Sequence, residues 1–186
     1  MAQRLGILAH MRIPTVVVAA CAALLVSCAS MPKDPIPTVP HVDLARFMGP
    51  WYVIASIPTF LEKDAYNAIE SYELNPDGTI ATTFTFHKGG FDGPLKTMKP
   101  HGFVVDKDSN ARWGMQFIWP IKAQYLIAYL NEQYTQTIIA RDARDYVWIM
   151  ARTPSLSPGE YQSLLDAVGR MGYDTSKVKL VPQHWP

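Results

Sequence analysis

Cys28 is the residue of this chain whose type and position most clearly indicate chemistry. It follows the uncharged run VVVAACAALLV, residues 16–26, and Arg4 and Arg12 lie upstream of that run. A run of this length is too short to span a bilayer, which takes about 20 apolar residues. It suits the apolar region of a signal peptide, and Cys28 then lies where such a peptide is cut.

The sequence around this cysteine, Leu25-Val26-Ser27-Cys28, resembles the lipobox of bacterial lipoproteins. The resemblance implies a signal peptide over residues 1–27, starting at the first methionine or at Met11, and acylation of the thiol and of the new amine. Several acyl chains on one residue give durable anchoring. Ala29, not aspartate, follows the cysteine, and lipoprotein sorting rules then imply the periplasmic face of the outer membrane. The alternative is that Cys28 is an ordinary small residue of the apolar run.

Other chemistry finds little support in the sequence. Cys21 lies in the predicted signal peptide, so an acylated Cys28 leaves no free thiol for a nucleophile, a disulfide or a metal site. The histidines of the mature chain do not have metal-ligand spacing; they are His41, His87, His101 and His184. We find no Gly-x-Ser-x-Gly and no phosphate loop. We therefore expect no enzymatic activity and no cofactor.

The charge balance and the prolines indicate how the chain is organised. With 17 basic and 16 acidic residues, the chain has no basic footprint for nucleic acid. Four prolines in residues 31–41 indicate an extended tether, so we assign residues 28–41 to the acylated cysteine and tether, and residues 42–186 to the folded domain. Eight apolar or alternating stretches with turn signals between them predict an antiparallel sandwich or barrel: 51–57, 66–74, 80–87, 96–106, 112–119, 124–130, 136–141 and 146–152.

A helix follows the strands. Ser157, Pro158 and Glu160 form a helix start with a capping box, and Gly172 suits the stop. Apolar residues recur at helical spacing between them, namely Tyr161, Leu164, Leu165, Val168 and Met171. This helix must bury its stripe against the outside of the sheet, and residues 177–181 could add a short strand.

The order of eight strands, one helix and a short strand, with Gly49 and Trp51 at its start, resembles the lipocalins, in particular the bacterial lipocalins and apolipoprotein D. The resemblance covers residues 42–182 and implies an all-β fold, an eight-stranded antiparallel up-and-down barrel with one C-terminal α-helix packed outside. A third family position is the arginine that ends the eighth strand, here Arg152. The family's Thr-Asp-Tyr motif is degenerate here, where LNEQYTQTII occupies that region.

Physical chemistry explains why a barrel needs Gly49, Trp51 and Arg152. An eight-stranded barrel holds one small ligand, and one end must be closed. We expect a turn of helix at residues 43–48 to cross that end above Trp51. Arg152 then lies on the indole face, a cation–π contact of about 0.5–2 kcal/mol, and its guanidinium bonds carbonyls of the crossing turn.

The barrel interior is the candidate ligand site. The resemblance implies fatty acids, lysophospholipids or similar amphiphiles as ligands. We assign ligand contacts to aromatic, methionine and aliphatic side chains of the predicted inner face: Phe84, Phe86, Met115, Phe117, Tyr125, Ile127, Tyr129 and Trp148.

Glu70 leaves two alternatives open. Its strand parity points it inward, where Arg112 or Lys96 could pair with it, whereas a β-bulge would turn it to solvent.

The main prediction for the function is a membrane-anchored lipid carrier, and a homodimer is compatible with it. The alternative from another class is an envelope lipoprotein that binds or assembles protein partners, and a co-purified lipid would distinguish the two.

Overall fold

The structure, a computed structural model, describes residues 34–185, so the predicted signal peptide and Cys28 lie outside the described residues. Strands dominate this part of the chain. The elements in chain order are α1 Leu44–Phe47, β1 Gly49–Ile57, β2 Ala65–Leu74, β3 Thr79–Lys88, β4 Leu95–Met98, β5 His101–Val104, β6 Arg112–Ile118, β7 Ile121–Leu130, β8 Gln136–Ala140, β9 Val147–Ala151, α2 Pro158–Arg170, a 3-10 turn Thr175–Lys177 and β10 Lys179–Leu180.

The sheet closes on itself. All neighbouring strands pair antiparallel, and β1 pairs with both β2 and β9, which joins the two ends of the sheet into a barrel. β10 adds to the same β1 strand outside the barrel order. With β4 and β5 counted as one barrel strand, eight strands form the barrel, as predicted.

The predicted strand 96–106 is two strands in the structure. β4 pairs with the second half of β3 and β5 with its first half. The break falls at Pro100, which has no N–H to give to a ladder and restricts the residue before it. The carbonyl of Pro100 still accepts a hydrogen bond from the Thr82 N–H at 3.2 Å, so the wall of the barrel stays continuous there.

Two cores lie on opposite sides of the sheet. The inner core fills the lower barrel around Phe47 and Trp51, and the outer core lies between the sheet and α2, where Leu164 and Val168 are buried. The helix begins with the predicted capping box: the Ser157 and Glu160 side chains each bond the other residue's backbone N–H.

Residues 34–41, assigned to the tether from sequence, pack along the barrel. Ile36 is fully buried in the outer core, and its N–H donates to Asp142 Oδ1 at 2.7 Å. The N–H of Val39 donates to the carbonyl of Ile127 at 3.0 Å. This part of the predicted tether belongs to the folded unit, because an isoleucine among prolines can bury its side chain against the sheet.

Candidate functional site

Arg152 closes one end of the barrel. Its guanidinium carbon lies 3.8 Å from the centroid of the Trp51 ring. Its Nη atoms donate to four backbone carbonyls at 2.7–3.0 Å, three in the crossing turn (Arg46, Phe47 and Met48) and that of Pro50 in β1. Partial burial lowers the pKa of Arg152 to about 10, which leaves it charged at neutral pH. The sequence predicted both kinds of contact.

Gly49 allows the Arg152 side chain to lie close to the backbone at the start of β1. Its φ of 91° lies in the left-handed region, which favours glycine. A Cβ there would lie 3.4 Å from Arg152 Nη1. The predicted pair Gly49 and Trp51 therefore starts β1 at the point where Arg152 crosses it.

An aromatic floor fills the lower barrel. Five rings contact one another with centroids 5.1–6.4 Å apart, and they belong to Phe47, Trp51, Tyr72, Trp113 and Tyr125. The Trp51 indole N–H donates to the carbonyl of Phe47 at 2.9 Å, and the hydroxyls of Tyr72 and Tyr125 bond each other. The polar atoms of these rings are thus satisfied without water, and the floor is solid.

A cavity of about 260 Å³ lies above this floor, towards the opposite end. Its wall is mostly apolar, with a few polar groups. The lining residues are Thr59, Phe60, Leu61, Glu62, Glu70, Phe84, Met115, Phe117, Ile118, Ala123, Gln124, Tyr125, Arg141, Tyr146 and Trp148. The β1–β2 connection and the end of β6 lie at its mouth. An apolar cavity with few polar groups is the usual form of a small-molecule site.

The predicted ligand residues divide into three groups. Five line the cavity: Phe84, Met115, Phe117, Tyr125 and Trp148. Phe86 and Ile127 point into the inner core but do not line the cavity wall. Tyr129 packs in the outer core beside α2.

The placement of Tyr129 corrects the prediction from strand parity. The register between β7 and β8 shifts between Ile127 and Tyr129. A β-bulge at this point moves the following side chain to the other face of the sheet. Simple alternation cannot detect a bulge, so the sequence placed Tyr129 inside the barrel.

Glu70 points inward, which decides between the two alternatives. Glu70 is 7% exposed and lines the cavity. Neither proposed partner, Arg112 or Lys96, forms an ion pair with it. The ion pairs within residues 34–185 join Arg141 to Asp145 and Lys177 to Asp174. Burial raises the pKa of Glu70 to about 8, an effect that the Tyr72 hydroxyl partly offsets and the charge of Glu62 increases.

Glu62 is a cavity residue that the sequence did not reveal. It follows β1 in an irregular connection, where no periodicity assigns a side chain to the interior. The Trp148 indole N–H donates to its Oε2 at 2.8 Å and the Thr59 hydroxyl donates to its Oε1 at 3.1 Å. Burial raises the pKa of Glu62 despite these bonds. Both of its oxygens are therefore held by neutral donors.

Arg141 contributes a positive charge to the cavity wall. Its Nη1 lies 3.3 Å from Asp145 Oδ2 and its guanidinium lies 5.3 Å from the Tyr146 ring centroid. Within residues 34–185, the buried Arg141 Nε has no hydrogen-bond partner.

Among residues 34–185, no group of three or more His, Cys, Asp or Glu residues is placed to hold a metal ion. No helix in the described part of the chain is long and apolar enough to cross a membrane.

Comparison with known proteins identifies relatives of the whole domain. The chain is 31% identical to temperature-induced lipocalin-1 of Arabidopsis thaliana over 163 residues, and this alignment covers 81% of this chain and 84% of that protein. It is 30% identical over 177 residues to the outer membrane lipoprotein Blc of Citrobacter freundii, which covers 93% of this chain and 98% of that protein. Apolipoprotein D of Bos taurus is 26% identical over 160 residues, which cover 81% of this chain and 82% of that protein.

Solved structures share the fold at lower identity. The cockroach allergen Per a 4 matches with a TM-score of 0.61 and 17% identity, over 82% of this chain and 96% of that one. Insecticyanin of Manduca sexta matches with a TM-score of 0.61 and 16% identity, over 78% of this chain and 83% of that one. A family model described as a lipocalin-like domain matches residues 42–183. The closed barrel, its arginine-sealed end and this match together show that the chain belongs to the lipocalin family.

Proposed function

We propose that this protein binds small apolar ligands in the cavity above the aromatic floor and carries them at a membrane. The observation that supports this most is the cavity of about 260 Å³, mostly apolar and open at one end. Membership of the lipocalin family implies binding of small hydrophobic ligands. Lipocalins are generally not enzymes, and we propose no reaction for this one.

The depth of the cavity sets the ligand size. The floor of Trp113 and Tyr125 blocks the lower barrel, so a chain that enters at the mouth meets a stack of rings at 5.6 Å centroid distance. Each buried methylene contributes about 0.8 kcal/mol before ordering costs. Affinity for an alkyl chain therefore rises with length until the tip reaches the floor. Fatty acids and lysophospholipids remain candidate ligands, with the rest of a long chain outside the cavity.

The membrane anchor is part of the proposal. The sequence Leu25-Val26-Ser27-Cys28 supports acylation of Cys28. The relatives named Blc are called outer membrane lipoproteins, and the one from Citrobacter freundii aligns with 93% of this chain. We therefore place the protein at the outer membrane, held by its lipid on the periplasmic face. Palmitate labelling of cells that produce Cys28→Ser tests the anchor: the variant should stay uncut and unlabelled, and equal labelling of both proteins refutes it.

A matched pair of variants tests the binding site. Phe117 is half-exposed at the mouth and lines the cavity, whereas Val105 is exposed in the β5–β6 connection away from the cavity. We expect Phe117→Glu to weaken binding of a fluorescent fatty acid to the full-length protein, because it places a charge in the apolar wall. Val105→Glu should bind as the wild type does. Equal binding by both variants contradicts the assignment of the site.

Native mass spectrometry separates this function from the partner-binding alternative. A carrier should be recovered with a co-purified lipid of low mass. An empty barrel in a stable complex with another protein would instead support an assembly role. The same spectrum reports whether the protein forms the homodimer with which the sequence is compatible.

A further inference from the structure

Two carboxyl groups line the cavity, those of Glu62 and Glu70, and neither forms an ion pair within residues 34–185. Glu70 is 7% exposed and lines the cavity, and it forms no ion pair with any residue in 34–185. A buried carboxylate is costly unless it is paired. Glu62, the other acid of the cavity, already accepts hydrogen bonds from Trp148 and Thr59 on its two oxygens. At Glu70 the Tyr72 hydroxyl is the one neutral donor that lowers the pKa, so of the two acids Glu70 keeps more acceptor capacity for a ligand.

The rings around Glu70 suit a cation. Tyr125 and Trp148 stack at 6.4 Å centroid distance, and Phe84 lines the same cavity. Aromatic faces attract ammonium groups, and more strongly when the site is desolvated. Arg141, the positive charge of the cavity wall, forms its ion pair with Asp145 and none with Glu70.

We infer that the cavity takes an apolar molecule with a protonated amine, whose ammonium group pairs with Glu70 while its alkyl part fills the cavity. This inference rests on the proposed function and narrows it to a class of ligand. A second negative charge, such as a fatty carboxylate at the same depth, would lie beside Glu70 and Glu62 and would be disfavoured.

The binding should depend on pH in a defined direction. Ionised Glu70 favours the ammonium form of the ligand, so binding releases the proton that Glu70 holds in the free protein below pH 8. The other titratable groups at the site are Glu62, Tyr72, Tyr125, Arg141 and Tyr146. Burial raises the pKa of Tyr72 and of Tyr125 well above 10, so these hydroxyls stay neutral. Affinity for an amine should rise from pH 6 to 8, by up to about tenfold per pH unit.

Three ligands with the same tail test the inference. Octylamine, octanoate and octanol are titrated calorimetrically into the full-length protein at pH 8, with Glu70→Gln as the variant and Glu73→Gln, an exposed acid of the same strand, as the control. We expect the wild type and Glu73→Gln to prefer octylamine to octanol, and Glu70→Gln to lose roughly tenfold or more in octylamine affinity while it keeps octanol.

Other results would overturn the pairing with Glu70, the ligand class or the proposed function. Equal octylamine affinity in the wild type and Glu70→Gln overturns the pairing, and tighter binding of octanoate than of octylamine overturns the ligand class. Octanol binding without octylamine preference overturns the inference and leaves the proposed function intact, whereas no binding of any of the three refutes the proposed function. The comparison of the three ligands in the wild type holds even if Glu70→Gln does not fold.

A different observation concerns the mouth of the barrel. Six large apolar side chains there are 43–81% exposed, and they belong to Phe60, Leu61, Phe117, Ile118, Trp119 and Ile121. They lie in the β1–β2 connection and in the β6–β7 hairpin, namely the end of β6, the turn and the start of β7, at the same open end, and we call them the apolar rim. Four of them, Phe60, Leu61, Phe117 and Ile118, also line the cavity, so the apolar surface runs without a break from the rim into the site.

The described chain also begins at this end. The Asp34 carbonyl accepts a hydrogen bond from Arg144 Nη2 at 2.8 Å, and Arg144 lies in the β8–β9 connection at the mouth. Cys28 is six residues upstream of Asp34. Six residues reach at most about 22 Å. An acylated Cys28 would therefore hold the apolar rim near the bilayer.

We propose that the apolar rim docks on the bilayer in which the chain is anchored, so that ligands pass between lipid and cavity without crossing water. This proposal rests on the proposed acylation of Cys28. Indole and aliphatic side chains such as Trp119 and Ile118 are typical of the membrane–water interface.

Spin labels test the docking in the anchored protein. The mature chain has no other free thiol if Cys28 is acylated, so Trp119→Cys and Val105→Cys can each carry one label in full-length protein reconstituted in liposomes. We expect the label at 119 to be accessible to oxygen and shielded from a water-soluble nickel chelate, and the label at 105 to show the reverse. Equal access of the chelate to both labels overturns the docking. A label at 119 shielded from both quenchers also overturns it, because a second protein chain then covers the rim.

Discussion

At the closed end of the barrel, Arg152 donates to four backbone carbonyls and lies on the face of Trp51. At the open end, Glu70 is buried without a counter-ion among residues 34–185, and the apolar rim is exposed. The first arrangement satisfies its polar groups and excludes water. The second leaves a buried carboxyl group without a counter-ion and apolar surface uncovered, both of which cost stability. The difference indicates that the closed end serves stability and the open end serves binding.

The largest loss of stability is expected at the closed end. Trp51 is fully buried in the aromatic floor. Trp51→Ala should lower the free energy of unfolding by about 3–5 kcal/mol, because it removes a large ring and leaves a cavity beneath Arg152. Denaturant unfolding followed by circular dichroism measures this. A loss below about 1 kcal/mol would mean that the floor does not depend on this ring.

At the open end, a substitution is expected to raise the free energy of unfolding instead of lowering it. The pKa of Glu70 is raised from 4.5 to about 8 in the folded protein, so between these values the native state holds a proton that the unfolded state has released. Stability from this group is fully present below pH 4.5 and is lost as pH rises through 8. Glu70→Gln should therefore be more stable than the wild type at pH 9, by an amount on the order of a few kcal/mol. Thermal unfolding at pH 5 and pH 9 measures the change, and a variant as pH-sensitive as the wild type contradicts it.

A double-mutant cycle sharpens the account of the closed end. Arg152→Ala leaves carbonyls of the crossing turn without their donor and should cost roughly 1–3 kcal/mol. Because Arg152 contacts Trp51 at 3.8 Å from the ring centroid, the two substitutions should be non-additive by about 0.5–3 kcal/mol. Unfolding of both single variants and the double variant gives the coupling. Strict additivity would show that the contact contributes nothing.

The smallest effect is expected at the rim. Trp119 is 81% exposed and packs little in the isolated chain. Trp119→Ser should change the free energy of unfolding by less than about 0.5 kcal/mol, as for most surface substitutions. Chemical denaturation of the purified protein checks this. A large loss would mean that the rim is structural, and the contrast between the two ends would fail.

The sequence predicted the closed end better than the open end, for a physical reason. Gly49, Trp51 and Arg152 have distinctive residue types at the limits of regular strands, and an aromatic ring and a guanidinium have few ways to be satisfied together. The helix start at Ser157 was predictable because a capping box is a local pattern of side chains.

Other parts of the fold depend on features that local patterns do not encode. The bulge after Ile127 placed Tyr129 outside the barrel, and the break at Pro100 divided one predicted strand into β4 and β5. Glu62 lies in an irregular connection and enters the cavity through tertiary packing. Glu70 could be assigned inward or outward from sequence, and only the closed barrel decides between the two.

Ligand binding in this barrel depends most on the solid floor that limits the apolar cavity at the open end. A series of straight-chain alcohols of increasing length, titrated calorimetrically into the full-length protein, tests it without the influence of a charged head group. Affinity should rise about fourfold per methylene while the chain fills the cavity and then stop rising once the tip meets the floor. An affinity that keeps rising with length, or no saturable binding at any length, would contradict the account.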